Sequence, residues 1–498
     1  MLVYVVFPAT FVISVLTVMG SIWMAHRTGV VDLPSGHKTH RQPVPYVGGF
    51  GVMVALFGFF AIAGMGWVTV EPVVLSALMI CSTTIFLTGL ADDRWHLSSR
   101  LRLVIETVAA AIMIWGGGVV LSDLGELLPG VPMALGLLAI PVTLFGMLSV
   151  TNALNMIDGI DGLSGSLSFV SLALLAVTAV VAGAESDFLL LLCLAGGVLG
   201  FLVFNMRWFG RRNAAVYLGD NGSMLIGFLL GWLFIDMSQG ENATITPVIA
   251  LYLFSVPLFD SAMAITRRLW LRKSPFKPDR SHLHHMMIDA GASVQTAVSV
   301  MVLLHLIIGV AGLLGMYGGV SEWVMFSAFV AAFLVYGYVI SRPWRFVPSM
   351  RSALVRMGIP LEHSTGVYVG HVGLAEAETL LAEMRRVLDP HVRIRAYTES
   401  FPVNGTESVF FIIDLGSYFA VRPTINRLRR RMNMRGSYSI RQYVSRIDDN
   451  DRRKDGFPVA REYRRSDRRG RRQISELTEL RVEPVPDGSK GAQPPLAA

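Results

Sequence analysis

From residue 2 to residue 341 the chain alternates between long apolar runs and short polar segments. Eleven runs approach the roughly 20 residues needed to cross a ~30 Å hydrocarbon layer. They cover about 2–24, 46–66, 72–90, 102–120, 132–153, 163–183, 187–206, 223–237, 246–266, 296–316 and 322–341. The eighth is short and can be extended. The pattern predicts an all-α polytopic membrane protein with about eleven transmembrane helices. The first run lacks a basic leader and a small-residue cleavage site, so it reads as a retained helix and not a signal peptide.

Charge then orients these helices. All fifteen Lys and Arg residues of 1–341 fall in four segments, 25–45, 91–102, 207–222 and 267–295. The intervening segments 67–71, 121–131, 184–186, 238–245 and 317–321 hold none, and carry acids such as Asp123, Glu126, Glu185 and Glu241. The positive-inside rule places the N-terminus outside and the basic loops, with everything after 341, in the cytoplasm. An odd number of spans agrees. Composition narrows the class further: 53% of residues are hydrophobic and 16% charged, against about 25% charged in a soluble domain. This argues against a disordered, a secreted disulfide-rich or a purely soluble protein. Both cysteines, Cys81 and Cys193, lie inside apolar runs, so no disulfide framework is expected.

Four polar clusters break the apolar background, all on the basic side. They are Ala91-Asp92-Asp93-Arg94, the Thr151–Leu163 segment, Tyr217-Leu218-Gly219-Asp220-Asn221-Gly222-Ser223 and Asp279-Arg280-Ser281-His282-Leu283-His284-His285. Carboxylates at membrane ends are costly and usually mark function. If the loops converge, Asp92, Asp93, Asp158, Asp161 and Asp220, with Asn152 and Asn155, make an oxygen-rich pocket. Such ligands suit Mg²⁺ shared with substrate phosphates, while the arginines and histidines hold the anionic part of that substrate. The chemistry that fits is metal-assisted phosphoryl transfer. Each motif alone has a plainer reading. Asp-Asp-Arg at a helix end is often a solvated cap. Asp158-Gly-x-Asp161-Gly lacks the twelve-residue frame of an EF-hand. His282-x-His284-His285 has no cysteine nearby for a zinc site, and Arg280 beside it favours phosphate. The joint occurrence on one membrane face carries the inference.

Over residues 30–341 these motifs, in this order, resemble the polyprenyl-phosphate N-acetylhexosamine-1-phosphate transferases (glycosyltransferase family 4). The segment 274–285 carries the His-x-His-His signature of the WecA-like branch that uses UDP-GlcNAc; Pro43-x-Pro45-x-x-Gly48-Gly49 is family-wide. The resemblance implies a bundle of ten or eleven helices with a cytoplasmic active site in the cytoplasmic (inner) membrane. The implied reaction is UDP-GlcNAc plus undecaprenyl phosphate giving undecaprenyl-pyrophosphoryl-GlcNAc plus UMP, the first membrane step of a cell-envelope polysaccharide. Mg²⁺ is the implied cofactor, with Mn²⁺ as the alternative ion. By the same resemblance Asp220 is the principal metal ligand and Asn155 a second. Asp92 acts as general base or positions the lipid phosphate, and Asp93 supports it. Because a phosphate monoester has a second pKa near ~6, a base is not strictly required. Asp158 and Asp161, with Asn152, contact the nucleotide and sugar. Tyr217 stacks on uracil. Arg280, His282, His284 and His285 bind the pyrophosphate, and Arg41 is a further nucleotide contact.

Beyond 341 the chain exceeds what such a core requires. Residues 342–446 read as a small cytoplasmic α/β domain. Its expected elements are a strand at 366–372, a helix at 374–388, strands at 391–399 and 408–414 around an Asn404-Gly405 turn, and a basic helix at 421–433. Residues 447–498 are charged and apolar-poor, and read as a disordered tail. Its arginine run at 464–472 suggests contact with anionic lipid or a partner protein; nothing supports nucleic-acid binding. A homodimer is allowed. Two other classes compete with the transferase: a transporter, for which intramembrane Glu106, Asp236, Asp260 and His305 are the main candidates, and an inactive scaffold. Other donors, such as another UDP-N-acetyl sugar or UDP-MurNAc-pentapeptide, remain alternatives for the same chemistry.

Overall fold

The computed structural model describes residues 2–32, 43–207, 211, 213–272, 274, 282–359, 363–388, 393–400, 407–415, 424, 426–428, 439–446 and 473–476. Contacts divide the chain into two units, 1–286 with 294–343, and 287–293 with 344–498.

The first unit is a helical bundle. It begins with α1 (Leu2–Thr28), followed by a two-residue antiparallel ladder of β1 (Val31–Asp32) and β2 (Val44–Pro45). Then come α2 (Gly49–Gly64), α3 (Pro72–Trp95), α4 (Ser99–Gly117), α5 (Ala139–Ile157), α6 (Leu163–Ala182), α7 (Glu185–Asn205), α8 (Gly219–Asp236), α9 (Pro247–Leu253) and α10 (Ser255–Trp270). The short α11 (Leu283–Asp289) precedes α12 (Val294–Tyr317) and α13 (Glu322–Ile340). Helix ends follow local chemistry. Pro72 opens α3, where a missing N–H costs nothing. Ser98 caps α4 through Leu101 N at 3.3 Å.

Every apolar run of the sequence is helical. Seven helices are long and apolar enough to cross a membrane, and an eighth crossing follows if α9 and α10 form one span. The remaining three differ for visible reasons. Helix α2 has 16 residues, α4 carries Arg100, Arg102 and Glu106, and α8 bears Asp220 and Asp236 at its ends.

Helices α9 and α10 meet at a bend of 83°. Pro257 has no N–H to give to the carbonyl four residues earlier, Leu253 O. Ser171 Oγ of α6 donates to that carbonyl at 2.7 Å instead, so the break leaves no orphan. Helix α8 is the centre of the unit: every residue from Asn221 to Ile235 is buried. It packs on α2, α3 and α5. Gly89 of α3 makes the closest approach, since a Cβ there would lie 2.5 Å from the carbonyl carbon of Asp220. This contact brings the ends of α3 and α8 together.

The second unit holds α14 (Pro343–Arg356), β3 (His363–Gly373), α15 (Leu374–Val387), β4 (Arg393–Ser400), β5 (Glu407–Leu415), β6 (Ser439–Arg446) and β7 (Gln473–Glu476). The strands form one antiparallel sheet in the order β6-β3-β5-β4-β7. Helix α15 packs on β3 and β5, joining Leu380, Leu381 and Met384 to Val409, Phe411 and Ile413 in a buried layer. The last strand of the β3-α15-β4-β5-β6 run lies beside the first, the order of a ferredoxin-like unit. Of the helix expected at 421–433, only Thr424 and residues 426–428 are described, and they are helical. The Asn404-Gly405 turn and the arginine run at 464–472 lie outside the described residues. One expectation is corrected. The tail read as disordered from 447 supplies β7, which pairs with β4 from Tyr397↔Glu476 to Ser400↔Gln473. Four residues with one aliphatic side chain carry no periodic signal, yet the open edge of β4 needs backbone partners.

Candidate active site

The site is built where the end of α3 meets the start of α8. The first N–H groups of a helix lack internal partners, and α8 has no cap of its own. Asp93 of α3 supplies it. Its Oδ1 accepts from Asp220 N at 2.9 Å, and its Oδ2 accepts from Asn221 N at 3.1 Å and Asn221 Nδ2 at 2.6 Å. Asn221 Nδ2 also donates to Tyr46 O, and Gly48 N donates to Tyr217 O at 3.0 Å. The early Pro-x-Pro-x-x-Gly-Gly segment thus braces the entry to α8. Tyr217 sits at that entry, its N–H donating to Pro45 O.

One turn away, the neighbouring carboxylates face each other. Asp92 is 5% exposed and lies within hydrogen-bonding reach of Asp220. Arg102 of α4 enters between them, with Nη1 at 2.5 Å from Asp92 Oδ2 and 3.7 Å from Asp220 Oδ2. From α5, Asn155 Nδ2 donates to Asp220 Oδ1 at 2.6 Å and to Ser223 Oγ at 3.0 Å. Asn152, one helical turn earlier, donates to Glu106 Oε2 at 2.6 Å.

The turn after α5 carries the other two acids. Asp158 Oδ1 accepts from Ser164 Oγ at 2.5 Å. Loss of hydration, together with the nearby Asp93 and Asp161 charges, pushes the Asp158 carboxyl up to about 7. Asp161 is turned to the following loop: its Oδ2 accepts from Arg207 Nε at 2.8 Å and Ala214 N at 3.0 Å.

The histidines stand against this turn. A Cβ on Gly159 would lie 3.2 Å from His284 Nε2, so a residue without one lets the turn approach the ring. His282 and His284 stack with parallel rings 5.4 Å apart, and His284 and His285 lie 4.2 Å apart. His284 is 1% exposed, and neither ring nitrogen has a partner. Burial pushes its pKa down to about 3, so it is neutral at pH 7.

The asparagines, Arg102 and the histidines of this cluster open onto one cavity of ≈ 990 Å³. Arg102, Asn152, Asn155, His282, His284 and His285 line one end. The rest is largely apolar, with Phe145, Met147, Phe234, Leu251 and Phe254 in the wall and Leu121, Leu124 and Leu127 at the far end of α4. At 1.5 Å per residue, Arg102 to Gly117 alone spans about 22 Å. The cavity therefore joins a charged mouth to an apolar channel most of a bilayer deep.

Among the described residues no group of three or more His, Cys, Asp or Glu forms a ready-made metal cage. The neighbouring carboxylates of Asp92 and Asp220 suit Mg²⁺, which is held by one or two carboxylates with the balance from water and substrate phosphates. Asp220, with its side chain 34% exposed, and Asp92 offer those oxygens.

Of the residues singled out in the sequence, the structure gathers Asp92, Asp93, Asp220, Asn152, Asn155, Asp158, His282, His284 and His285 around the mouth. Asp93 and Asp161 spend their oxygens on α8 and on the 207–214 loop. Arg41 and Arg280 lie outside the described residues. Sequence reasoning missed Arg102 as a member of the site, because it read as one of many positive-inside charges. It also did not place Glu106 and Asp260 in this site, because as acids within spans they were weighed only as candidates for a transporter.

The fold and site define a polytopic helical membrane protein with a carboxylate–guanidinium–imidazole cluster at the mouth of an apolar channel. The Glycosyl transferase family 4 profile matches residues 75–238, a range that contains Asp92, Asn155, Asp158 and Asp220. The chain is 34% identical over 337 residues to the undecaprenyl-phosphate alpha-N-acetylglucosaminyl 1-phosphate transferase of Escherichia coli (strain K12), covering 67% of this chain and 90% of that protein. The similarly named protein of Haemophilus influenzae is 34% identical over 343 residues, with 69% and 95% covered; that of Salmonella typhi is 33% identical over 337 residues, with 67% and 90% covered. The chain belongs to glycosyl transferase family 4, and within it groups with the undecaprenyl-phosphate GlcNAc-1-phosphate transferases.

Proposed function

We propose that this protein transfers GlcNAc-1-phosphate from UDP-GlcNAc to undecaprenyl phosphate, releasing UMP. The observation that carries the reading is the cavity, with Arg102, Asn155 and the histidines at its mouth and an apolar channel behind them. A charged head and a prenyl tail on one acceptor require that juxtaposition. The names of the relatives state transfer of N-acetylglucosaminyl 1-phosphate and undecaprenyl phosphate, which supports the group and the acceptor of this reading.

In the reaction a phosphate oxygen of the lipid attacks the sugar-linked phosphorus of UDP-GlcNAc. The bond from that phosphorus to the bridging oxygen breaks, and UMP leaves with the bond's electron pair. The lipid phosphate is already ionised near neutral pH, so Asp92 acts by position: pinned by Arg102, it orders the mouth in which nucleophile and electrophile meet. Asn155 orients Asp220. Asp220 and Asp92 would hold Mg²⁺, which when bound neutralises pyrophosphate charge. The histidine cluster takes the pyrophosphate oxygens, and Asp158 is placed for the sugar or nucleotide. Arg102 adds a cation close to where charge grows on the leaving group.

The polarity of the basic loops supports eleven crossings, with α2, α4 and α8 counted among them, the N-terminus outside and the site at the cytoplasmic face of the inner membrane. The test is UMP release by detergent-purified protein with Mg²⁺ and undecaprenyl phosphate. UDP-GlcNAc, UDP-GalNAc and UDP-MurNAc-pentapeptide are compared, with Asp220→Ala as control. Release from UDP-GlcNAc, abolished in the control, is expected. Release only from another donor, or from none, overturns the reading.

A further inference from the structure

Asp260 lies in α10, inside the bundle, and is 2% exposed. No arginine or lysine pairs with it among the described residues. Its carboxylate is nevertheless fully engaged. Oδ1 accepts from Leu283 N at 3.0 Å and from Tyr336 OH of α13 at 2.7 Å. Oδ2 lies 2.7 Å from His282 Nδ1. One buried acid therefore ties together α10, the start of α11 and α13, and its remaining oxygen is committed to one nitrogen of one histidine.

The consequence for His282 is chemical. A carboxylate only accepts hydrogen bonds, so Nδ1 must carry the proton in this pair. Nε2 is then the nitrogen left for a ligand, and His282 lines the cavity mouth beside His284 and Arg102. His284 differs: it has no carboxylate on either nitrogen and is buried without a partner. Two adjacent, stacked imidazoles are thus held in different ways.

We propose that Asp260 is a positioning residue for phosphoryl transfer: it locks the ring orientation and the Nδ1–H tautomer of His282, so that Nε2 faces the phosphoryl oxygens of the donor. The Asp260–His282–phosphate line is then a chain of hydrogen bonds with a charged group at each end. Tyr336 holds the acid from the opposite side and keeps it from rotating away. The proposal rests on the transferase reading, because it assigns the open nitrogen to the donor's phosphates.

The decisive variant is Asp260→Asn. It is nearly isosteric, but its amide N–H can turn to His282 Nδ1 and force the opposite tautomer while leaving the ring in place. The first readout is independent of activity. ¹⁵N-histidine spectra of the full-length protein in detergent, with the His282 signals identified by their loss in His282→Asn, should show Nδ1 protonated in the wild type and Nε2–H with a bare Nδ1 in Asp260→Asn. The second is kinetic. Asp260→Asn should lower kcat roughly 10- to 100-fold, as loss of an outer-shell partner does, with KM for UDP-GlcNAc moving less than about threefold because the bond matters most as charge builds on UMP. In the His282→Asn background the same change should add nothing.

A bare Nδ1 on His282 in the wild type overturns the proposal, and so does a loss in Asp260→Asn that multiplies with that of His282→Asn. If Asp260→Asn does not fold, the wild-type spectrum alone decides. An inactive wild type with Nδ1 protonated would instead count against the transferase reading and leave the pairing intact.

Discussion

Arg102 Nη1 lies 2.5 Å from Asp92 Oδ2, and the same nitrogen is 3.7 Å from Asp220 Oδ2. Two carboxylates 128 positions apart in the chain thus share one guanidinium. A metal ion entering between the acids competes with that charge. Arg102→Ala should therefore lower kcat by about 10²-fold, as removal of one charge-stabilising donor does, and at the same time lower the Mg²⁺ concentration needed for half-maximal rate. Metal titrations of UMP release would show both. An unchanged Mg²⁺ dependence would mean that Arg102 does not share the ion's ground.

Asp93 and Asp92 are adjacent in sequence and differ in work. Asp93 caps α8 by accepting two backbone N–H bonds, and a third from the Asn221 side chain. Asp93→Asn presents only one acceptor oxygen there, and should cost about 1 kcal/mol or more of stability, the usual worth of a cap, together with activity. Asp92→Asn should abolish activity with a smaller change in thermal midpoint. Melting of both variants by intrinsic fluorescence in detergent separates the roles; equal midpoints would refute the division.

The channel can be probed at Gly146. It lines the cavity, and a Cβ there would meet nothing within 4 Å. Gly146→Leu fills space with no clash at its first atom. It should raise KM for undecaprenyl phosphate by about tenfold, roughly the 1.4 kcal/mol of one displaced apolar contact, and leave KM for UDP-GlcNAc as it is. A shift in the nucleotide KM instead would place the prenyl chain elsewhere.

Two groups near the mouth make stability depend on pH with opposite signs. His284 has a folded pKa of about 3, below its ordinary 6.5. The unfolded chain binds that proton first, so stability is lost as pH falls from 6.5 towards 3. Asp158 has a folded pKa of about 7, above its ordinary 3.8. Here the native chain keeps the proton longer, so stability is lost as pH rises from about 4 to 7. Melting curves from pH 4.5 to 8 should show His284→Gln flattening the acid limb and Asp158→Asn flattening the neutral one. Curves parallel to the wild type would rule out these assignments.

Much of this was legible without coordinates, because the constraints are local. A span needs an apolar run; the eleven runs are helical, and seven of the helices are long and apolar enough to cross a membrane. The loop arginines needed no fold to show their asymmetry. The strand expected at 366–372 and the helix at 374–388 lie within or nearly coincide with β3 and α15, because alternation and 3.6-residue spacing are written in a few consecutive residues. The clustering of Asp92, Asn155, Asp220 and the histidines was also foreseeable, since their motifs all lie at ends of apolar runs next to the basic loops.

Other features depend on which helix lies beside which. Nothing in Ala91-Asp92-Asp93-Arg94 says that the second acid caps α8 while the first meets Arg102; the close approach of α3 to α8 at Gly89 assigns them. Asp161 pairs with Arg207, 46 residues on, a partner its own motif does not announce. Asp260 is, in the sequence, one intramembrane acid among several transporter candidates; His282, just before α11, and Tyr336 of α13 give it partners only in the fold. The bend at Phe254 needed both Pro257 and a serine from α6 to satisfy the freed carbonyl. Strand β7 needed the open edge of β4. The sequence by itself determined the apolar helices, the charge asymmetry of their loops and the residue types of the site, because hydrophobic length and charge act along the chain. Tertiary structure alone decided each acid's partner, because hydrogen bonds and ion pairs act over about 3 Å between segments the chain keeps far apart.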